Sequence, residues 1–297
     1  MLGTVDLKVG AKVGANTWPL TGALSSEEIE HYHREGYHVA RGLMSAAEVA
    51  EIREGFMEMN ASGPVEGLSE TRRSGAENGY SKDDPLSFYP RMMNPHRQQN
   101  MPVGPLSLKY LLDQRIGRIL RELFADEPIA AQTMFYFKPP GARGQDFHQD
   151  NFYLRVQPGT CMAAWMAIDD CDEENGTMTV VPESSRMEIV CPENSDSQQF
   201  FTTEHVEIPT GMRRVPMLLE AGDVLFFNGS IIHGSYPNTS KTRFRRSFIC
   251  HYVPSGCAEV ANWYRPLLRF DGSLVEKQVA EGGGPCGTLQ AEIKGPH

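Results

Sequence analysis

Seven short β-rich runs in the second half of the chain constrain its fold most. They cover residues 129–138, 161–169, 177–182, 205–208, 215–219, 223–227 and 245–253. Turn signals separate them, among them Pro139-Pro140-Gly141, Asn175-Gly176 and Ala221-Gly222-Asp223. Many short strands with regular turns are typical of a barrel or of a double-sheet jelly roll. We therefore expect a β core over residues 129–253.

Helical patterns occupy the first half of the chain. Capping boxes at Ser25/Glu28 and Ser45/Glu48 predict a helix that ends at Gly36 and another that reaches about Met59, with a short strand over residues 37–43 between them. Leucines and isoleucines at helical spacing predict one amphipathic helix over residues 108–123. We expect a single domain over residues 1–297. It would comprise an irregular arm (1–22), a helical flank and lid (23–128), the β core (129–253) and a C-terminal extension (254–297).

Residues 60–105 show little periodicity and many glycines and prolines. A connection of this length without structure of its own is usually functional or disordered. We favour a lid or binding loop.

Composition excludes several classes of protein. Lys and Arg number 28 against 38 Asp and Glu, and a net charge of −10 opposes binding to nucleic acid. The longest apolar run, residues 162–168, is far shorter than a membrane span, and no signal peptide is evident, so no membrane partner is expected. None of the six cysteines forms a C-x-x-C pair, so we expect reduced thiols in a cytoplasmic protein.

A His-x-Asp or His-x-Glu pair on a strand can present both side chains to one metal ion, because residues i and i+2 share a face. The composition predicts about one such pair by chance, and three occur. His33/Glu35 ends a helix, where the two side chains diverge, and His205/Glu207 lies in a polar excursion typical of a surface hairpin. His148/Asp150 follows a strong strand and a tight turn, and it is the best candidate.

A third ligand and an anion-binding residue would come from later in the chain. His233 follows two isoleucines and opens a Gly-Ser-Tyr-Pro-Asn turn. Arg245 lies twelve residues further on, at the start of the last strand, where a guanidinium can hold a carboxylate cosubstrate through two hydrogen bonds.

The order of these motifs resembles the phytanoyl-CoA dioxygenase superfamily of Fe(II)/2-oxoglutarate-dependent oxygenases, from about residue 28 to residue 252. The resemblance is carried by segments 31–37 and 41–43, Lys138-Pro139-Pro140, His148-Gln149-Asp150, segments 164–169, 175–178, 181–185 and 222–224, His233-Gly234-Ser235 and Phe244-Arg245-Arg246. It implies a mainly β fold with flanking helices and a double-stranded β-helix core, the cupin-like jelly roll.

The resemblance also implies roles for individual residues. His148, Asp150 and His233 match the iron ligands, and Arg245 matches the arginine that binds the distal carboxylate of 2-oxoglutarate. Arg243 and Arg246 are neighbouring alternatives. Because side chains alternate along a strand, only Arg243 shares a face with Arg245. Further positions match the cosubstrate pocket: Gln132, Met134, Trp165 and Ser235. Fe(II), 2-oxoglutarate and O2 are the implied cofactor and cosubstrates.

We therefore expect a hydroxylase that acts on an unactivated C–H bond of a small molecule and releases succinate and CO2. The carboxylate of Asp150 is intact, whereas related iron halogenases replace it with a small residue. Substrate contacts are expected from Tyr89, Arg91, Phe152 and Tyr153. The basic pairs Arg72-Arg73 and Arg213-Arg214 could also meet an anionic substrate, although such pairs are usually only solvated. The substrate and the oligomeric state stay open.

Two alternatives compete with this interpretation. One is a non-catalytic jelly-roll protein that binds a metal or a small ligand, and the other is a cupin-type enzyme that does not use 2-oxoglutarate. The second would leave Arg245 without a role. The presence of all four residues, His148, Asp150, His233 and Arg245, favours the oxygenase.

Overall fold

The computed structural model describes residues 23–71, 79–280 and 286. The predicted arm at 1–22 and the pair Arg72-Arg73 lie outside these residues. The helices are α1 (Ser26–Glu35), α2 (Ala46–Met59), α3 (Pro85–Phe88), α4 (Val103–Leu111), α5 (Gln114–Phe124) and α6 (Asp150–Leu154). The strands are β1 (Tyr37–Ala40), β2 (Met92–Met93), β3 (Pro128–Tyr136), β4 (Gln145–His148), β5 (Met162–Ala167), β6 (Met178–Val180), β7 (Glu193–Asn194), β8 (Glu204–His205), β9 (Val215–Pro216), β10 (Val224–Asn228), β11 (His233–Ser235), β12 (Ser247–Pro254), β13 (Glu259–Val260), β14 (Leu267–Leu268), β15 (Leu274–Val275) and β16 (Gln278–Val279).

Two antiparallel sheets form the core. The large sheet has the order β1-β10-β5-β12-β3-β14-β15, with β2 added on β3, and the small sheet has the order β4-β11-β6-β9. Because neighbouring strands of each sheet are mostly distant in sequence, the chain crosses repeatedly between them. The predicted double-stranded β-helix core with flanking helices is confirmed.

The large sheet is buried on both faces. Met134 and Ile249 point towards the small sheet and pack with Met178 of β6. Their chain neighbours Phe135 and Phe248 point the other way and contact the helices, where Phe135 stacks on Phe56 with ring centroids 4.1 Å apart. This double burial explains why β3, β5 and β12 are continuous apolar runs in the sequence rather than alternating ones.

Both capping boxes are confirmed. Each N-cap serine accepts a hydrogen bond from the amide three residues later, and the glutamate at that position accepts one from the serine amide. Gly36 ends α1 in the left-handed conformation with φ 88°. The two helices reach Glu35 and Met59, as predicted, while the strand between them is shorter than expected and ends at Ala40.

The single helix predicted over residues 108–123 is wrong, because the segment contains two helices. Asp113 lies between them with extended backbone (φ −63°, ψ 123°), and its carboxylate accepts a hydrogen bond from the amide of Arg115 at 2.8 Å. The apolar spacing continues across this break, so the periodicity alone does not reveal it. The segment 60–105 also has more structure than predicted, since it contributes α3 and the edge strand β2, in which Met92 pairs with Phe135 of β3.

The expectation that all six cysteines are reduced is wrong for two of them. Cys191 and Cys286 form a disulfide with their Cα atoms 5.3 Å apart, although 95 positions separate them. No short spacing could signal this pair, because only the fold brings the two residues together. The remaining cysteines are free and buried: Cys161, Cys171, Cys250 and Cys257. Among the described residues, no helix has the length and apolar character needed to cross a bilayer.

Candidate metal and cosubstrate site

Two short neighbouring strands of the small sheet place the predicted metal ligands together. His233 of β11 is the register partner of His148 of β4, and their ring centroids lie 4.2 Å apart. Gln149 is extended (φ −124°, ψ 121°), so side chains still alternate between the two faces until α6 begins at Asp150. His148 and Asp150 therefore point to the same side. The Oδ1 atom of Asp150 lies 3.4 Å from Nε2 of His148 and 3.5 Å from Nε2 of His233. All three side chains are buried.

The hydrogen bonds of both imidazoles suit metal binding. Nδ1 of His148 donates to the carbonyl of Asp146 at 2.7 Å, and Nδ1 of His233 donates to the carbonyl of Ile231 at 3.0 Å. Since carbonyls only accept, the protons lie on Nδ1 and the Nε2 lone pairs face Asp150. Burial and the neighbouring His233 lower the pKa of His148, which favours the neutral, ligating form. Two imidazoles and a carboxylate at one point fit Fe(II).

His251 of β12 completes this cluster, although the sequence analysis did not single it out. Its Nε2 donates to Oδ2 of Asp150 at 3.0 Å, and the side chain is 1% exposed. The bond occupies one carboxylate oxygen and leaves Oδ1 directed at the two imidazoles. The sequence could have indicated this position, because the alternation of side chains along a strand puts Ser247, Ile249 and His251 on the same, inward face of β12.

A cavity between the two sheets adjoins the triad, and we call it the inner cavity. Its lining comes from both sheets and includes Met134, His148, Asp150, Trp165, His233 and Arg245. Ser235 also lines it. The structure thus brings the predicted pocket residues Met134, Trp165, Ser235 and Arg245 together beside the triad. Gln132 is fully buried on the same face of β3 as Met134 but lines neither this cavity nor the one described below.

Of the three neighbouring arginines, only Arg245 lines the inner cavity. It is 3% exposed, its Nε donates to the carbonyl of Gly176 at 3.1 Å, and its guanidinium lies 5.2 Å from the ring centroid of Trp165. Within the described part of the chain, no carboxylate forms an ion pair with it. Arg243 instead pairs with Asp172, and Arg246 pairs with both oxygens of Asp169.

Lys138 is a second buried basic residue beside Arg245, although the sequence predicted no role for it in the site. Its Nζ donates to the carbonyls of Gly176 and Tyr236 and, at 2.9 Å, to Oγ of Ser235. Burial, with the charge of Arg245, holds its pKa well below the usual value. Two buried basic side chains that share the carbonyl of Gly176 and have only neutral hydrogen-bond partners make the surroundings of Arg245 receptive to an anion.

A second cavity, which we call the outer cavity, adjoins the inner one. The two share lining residues Tyr136, Gln145, Ser235 and Arg245. The predicted substrate residues Tyr89 and Arg91 line the outer cavity. Phe152 and Tyr153 line neither cavity, since they pack in a hydrophobic cluster with Val253 and Leu267. Their predicted contact with a substrate stays a prediction.

The other two histidine motifs lie away from the triad. His33/Glu35 ends α1, and His205 lies on the β7–β8 hairpin in the predicted polar excursion. Nδ1 of His205 is 2.9 Å from Oδ1 of Asp146. This contact fastens the hairpin to β4, which carries His148.

A jelly roll with two histidines and an aspartate converging in a buried cavity has the arrangement of a non-haem metalloenzyme. The family model described as phytanoyl-CoA dioxygenase matches residues 32–247, which is more than half of the chain. The chain therefore belongs to the phytanoyl-CoA dioxygenase family.

Known proteins agree with this assignment. Phytanoyl-CoA dioxygenase 1 of Oryza sativa subsp. japonica is 23% identical over 275 residues, which cover 82% of this chain and 95% of the relative. The epimerase SnoN, solved with Fe3+, α-ketoglutarate and nogalamycin RO, has a TM-score of 0.60 at 22% identity and covers 81% of this chain and 85% of its own. EctD of S. alaskensis, solved with 2-oxoglutarate and 5-hydroxyectoine, has a TM-score of 0.60 at 19% identity over 95% of this chain and 88% of its own.

The family and the cluster together confirm two predictions. The chain is an oxygenase, and iron, 2-oxoglutarate and O2 are its cofactor and cosubstrates. The non-catalytic alternative and the cupin-type enzyme without 2-oxoglutarate are accordingly set aside. The roles of individual residues and the kind of oxidation are taken up below as proposals.

Proposed function

We propose that the chain is a hydroxylase that couples the conversion of 2-oxoglutarate and O2 into succinate and CO2 to the hydroxylation of a C–H bond in a small molecule. The observation that carries this proposal is the placement of Arg245 in the same buried cavity as His148, Asp150 and His233. One end of the cavity thus offers a metal-binding set, and the other offers a cation that none of the described carboxylates neutralises.

The three ligand side chains would hold iron, which when bound supplies the oxidising chemistry with O2. His148 and His233 would each give Nε2, and Asp150 would give Oδ1. Three protein ligands leave coordination positions open for the cosubstrates, as a facial triad does. The intact carboxylate of Asp150 favours hydroxylation over halogenation, because it occupies the position that a halide would need.

Arg245 would bind the far carboxylate of 2-oxoglutarate. Its guanidinium is fixed by Gly176 and by the ring of Trp165, so little side-chain entropy remains to be lost when the anion binds. Lys138 donates a hydrogen bond to Ser235, which lines the same cavity. Burial strengthens these interactions and keeps water away from the reacting atoms.

Two observations support a hydroxylase of a small molecule. Tyr89, Phe137 and Phe201 line the outer cavity, which adjoins the inner one and offers an apolar surface to an organic substrate. EctD, a structural neighbour, was crystallised with a hydroxylated compound. An epimerase and a carbocyclase are also among the structural neighbours, so the product must be identified directly.

The experiment that tests this function measures succinate and O2 uptake with Fe(II) and 2-oxoglutarate, first alone and then with candidate substrates. We expect slow uncoupled succinate formation without substrate. We expect one oxygen atom from 18O2 in the product of the true substrate. Absence of succinate under all conditions would refute the oxygenase roles assigned here, and a product without 18O would refute hydroxylation.

Variants test the assigned residues. H148A should abolish Fe(II) binding, whereas R245A should raise the 2-oxoglutarate concentration needed for half-maximal succinate formation by at least tenfold and leave Fe(II) binding in place. R243A is the matched control, because it removes the same charge from a guanidinium that lies outside the cavity and pairs with Asp172. An unchanged requirement for 2-oxoglutarate in R245A would show that the wrong arginine was chosen.

A further inference from the structure

The outer cavity contains a buried cation that the proposed iron and 2-oxoglutarate chemistry does not use. Arg91 is 7% exposed and lines this cavity. Its guanidinium carbon lies 5.5 Å from the ring centroid of Tyr136 and 5.6 Å from that of Phe201. The two rings hold the guanidinium in place, so its planar face and its donors are fixed in advance of any ligand.

The donors of Arg91 are only partly occupied. Nη1 donates to the hydroxyl of Tyr136, whereas Nε has no hydrogen-bond partner among the described residues and lies 3.7 Å from a carboxylate oxygen of Glu70. That distance exceeds a hydrogen bond, so Glu70 moderates the charge without satisfying the donor. A buried guanidinium donor left unpaired costs free energy, and a bound acceptor would remove this cost.

The charges around the outer cavity leave an excess of positive charge. Among the residues that the structure describes, the basic side chains of Arg91, Lys138, Arg143 and Arg245 line it, against the single acidic side chain of Glu70. In the proposed function the far carboxylate of 2-oxoglutarate compensates Arg245. The cations that remain still outnumber Glu70. The rest of the lining is mainly apolar and includes Leu86, Tyr89, Pro90, Phe137, Ala142 and Phe201.

We propose that the substrate of this oxygenase is an organic acid whose carboxylate binds Arg91 and whose apolar body lies along the aromatic lining of the outer cavity. This inference rests on the proposed function, because it takes the outer cavity as the place from which a substrate reaches the triad. The basic pair Arg213-Arg214 is a poorer anion site. The side chain of Arg213 is 71% exposed, Arg214 donates to the hydroxyl of Tyr236, and neither residue lines the cavity.

The test measures binding without turnover. The protein is loaded with Fe(II) and 2-oxoglutarate under anaerobic conditions and titrated calorimetrically with two matched pairs of probes, hexanoate with hexanamide and benzoate with benzamide. Within a pair the shape is nearly constant and only the charge differs. We expect at least one acid to bind at millimolar concentrations and about tenfold or more tightly than its amide, the usual size of a charge-assisted hydrogen bond.

Variants then assign that preference to Arg91. R91Q should abolish the preference for the acid, and R91K should retain part of it. R213Q should retain all of it, since it removes an equal charge from an exposed position outside the cavity. Near-UV circular dichroism checks that each variant is folded, and the comparison of acid and amide in the wild-type protein needs no variant at all.

Three outcomes would overturn the inference: neither acid binds, acid and amide bind equally, or R91Q keeps the preference. The proposed function is judged separately, by uncoupled succinate formation in the wild-type protein. A protein that prefers the acids through Arg91 but forms no succinate would refute the oxygenase roles and leave the anion site standing. The reverse result would refute only the organic-acid substrate.

Discussion

The carboxylate of Asp150 has two oxygens, and the structure assigns them different tasks. Oδ2 accepts a hydrogen bond from His251, while Oδ1 faces the two imidazoles. Outer hydrogen bonds of this kind hold a ligand in one orientation before the metal arrives, so the metal does not have to immobilise it. His251 is therefore a positioning residue in our proposal.

H251L should weaken Fe(II) binding by about 10- to 100-fold, because it removes the donor to Asp150 and keeps an apolar side chain of similar size. H251Q retains an N–H donor and should recover part of the affinity. Metal titration of the apoprotein measures both without any turnover. Equal affinities in wild type and H251L would show that Asp150 is oriented by other contacts.

Stability should depend on pH through His96, which is 4% exposed and has Nδ1 2.7 Å from Oγ1 of Thr133. Burial lowers the pKa of His96 to about 3. Between that value and about 6.5, the ordinary pKa of histidine, the unfolded chain binds a proton that the folded chain does not. Stability is therefore complete above pH 6.5 and decreases as the pH falls towards 3.

This contribution amounts to about 2 kcal/mol between pH 7 and pH 5. Urea unfolding of wild type and H96Q at the two pH values should show a smaller loss of stability in the variant. H33Q is the control, because His33 is exposed on α1. If H96Q and wild type lose the same stability over this range, His96 is not the group responsible.

At the level of secondary-structure elements, the sequence predicts the helices and strands that are determined by interactions between residues close together in the chain. The capping boxes set the starts of α1 and α2, and apolar runs mark β3, β5 and β12. The two strands that carry the histidines were missed, because β4 and β11 are only a few residues long and contain polar residues and a glycine. Their strand character comes from pairing with each other, which no local pattern encodes. The metal ligands were nonetheless found, because the His-x-Asp spacing and its context singled out His148 and Asp150, and the resemblance then matched both of them and His233 to iron ligands.

Gly234 makes the close pairing of β4 and β11 possible. A Cβ atom at this position would lie 2.9 Å from the carbonyl oxygen of Gln145 and 3.1 Å from the amide nitrogen of Phe147. Both contacts are with backbone, which cannot rotate away as a side chain can. The glycine therefore lets the strand that bears His233 approach the strand that bears His148.

G234A should separate these strands, cost about 1–3 kcal/mol of stability and weaken Fe(II) binding. Urea unfolding and metal titration measure the two effects. G256A is the control, because its added Cβ would lie 3.1 Å from a side-chain oxygen of Asp126, and neither residue lines the inner cavity. Normal metal affinity in a folded G234A would show that the spacing of the two strands is not critical.

At the scale of the whole molecule, the predicted β core and helical flank are present. The sequence could not predict which residues far apart in the chain would pair. The Cys191–Cys286 disulfide connects the excursion that carries β7 and β8 to a residue beyond the last strand. Ile189 and Cys286 both pack against the hydrophobic cluster that contains Tyr153 and Val260. The bond therefore connects Cys286 to the excursion on one side of the core.

Closing a loop of this length should stabilise the protein mainly by restricting the unfolded chain, by about 2–4 kcal/mol. Dithiothreitol should accordingly lower the melting temperature of the wild-type protein by several degrees. C286S should melt at the lower temperature with or without dithiothreitol, whereas C171S should remain sensitive to it, because Cys171 is a free, buried thiol. A wild-type melting temperature that dithiothreitol leaves unchanged, and that C286S shares, would show that the disulfide adds nothing to the stability of the protein. Succinate formation by C286S shows whether the disulfide matters for the reaction. Because both cysteines lie outside the two cavities, we expect the rate at 25 °C to be unchanged.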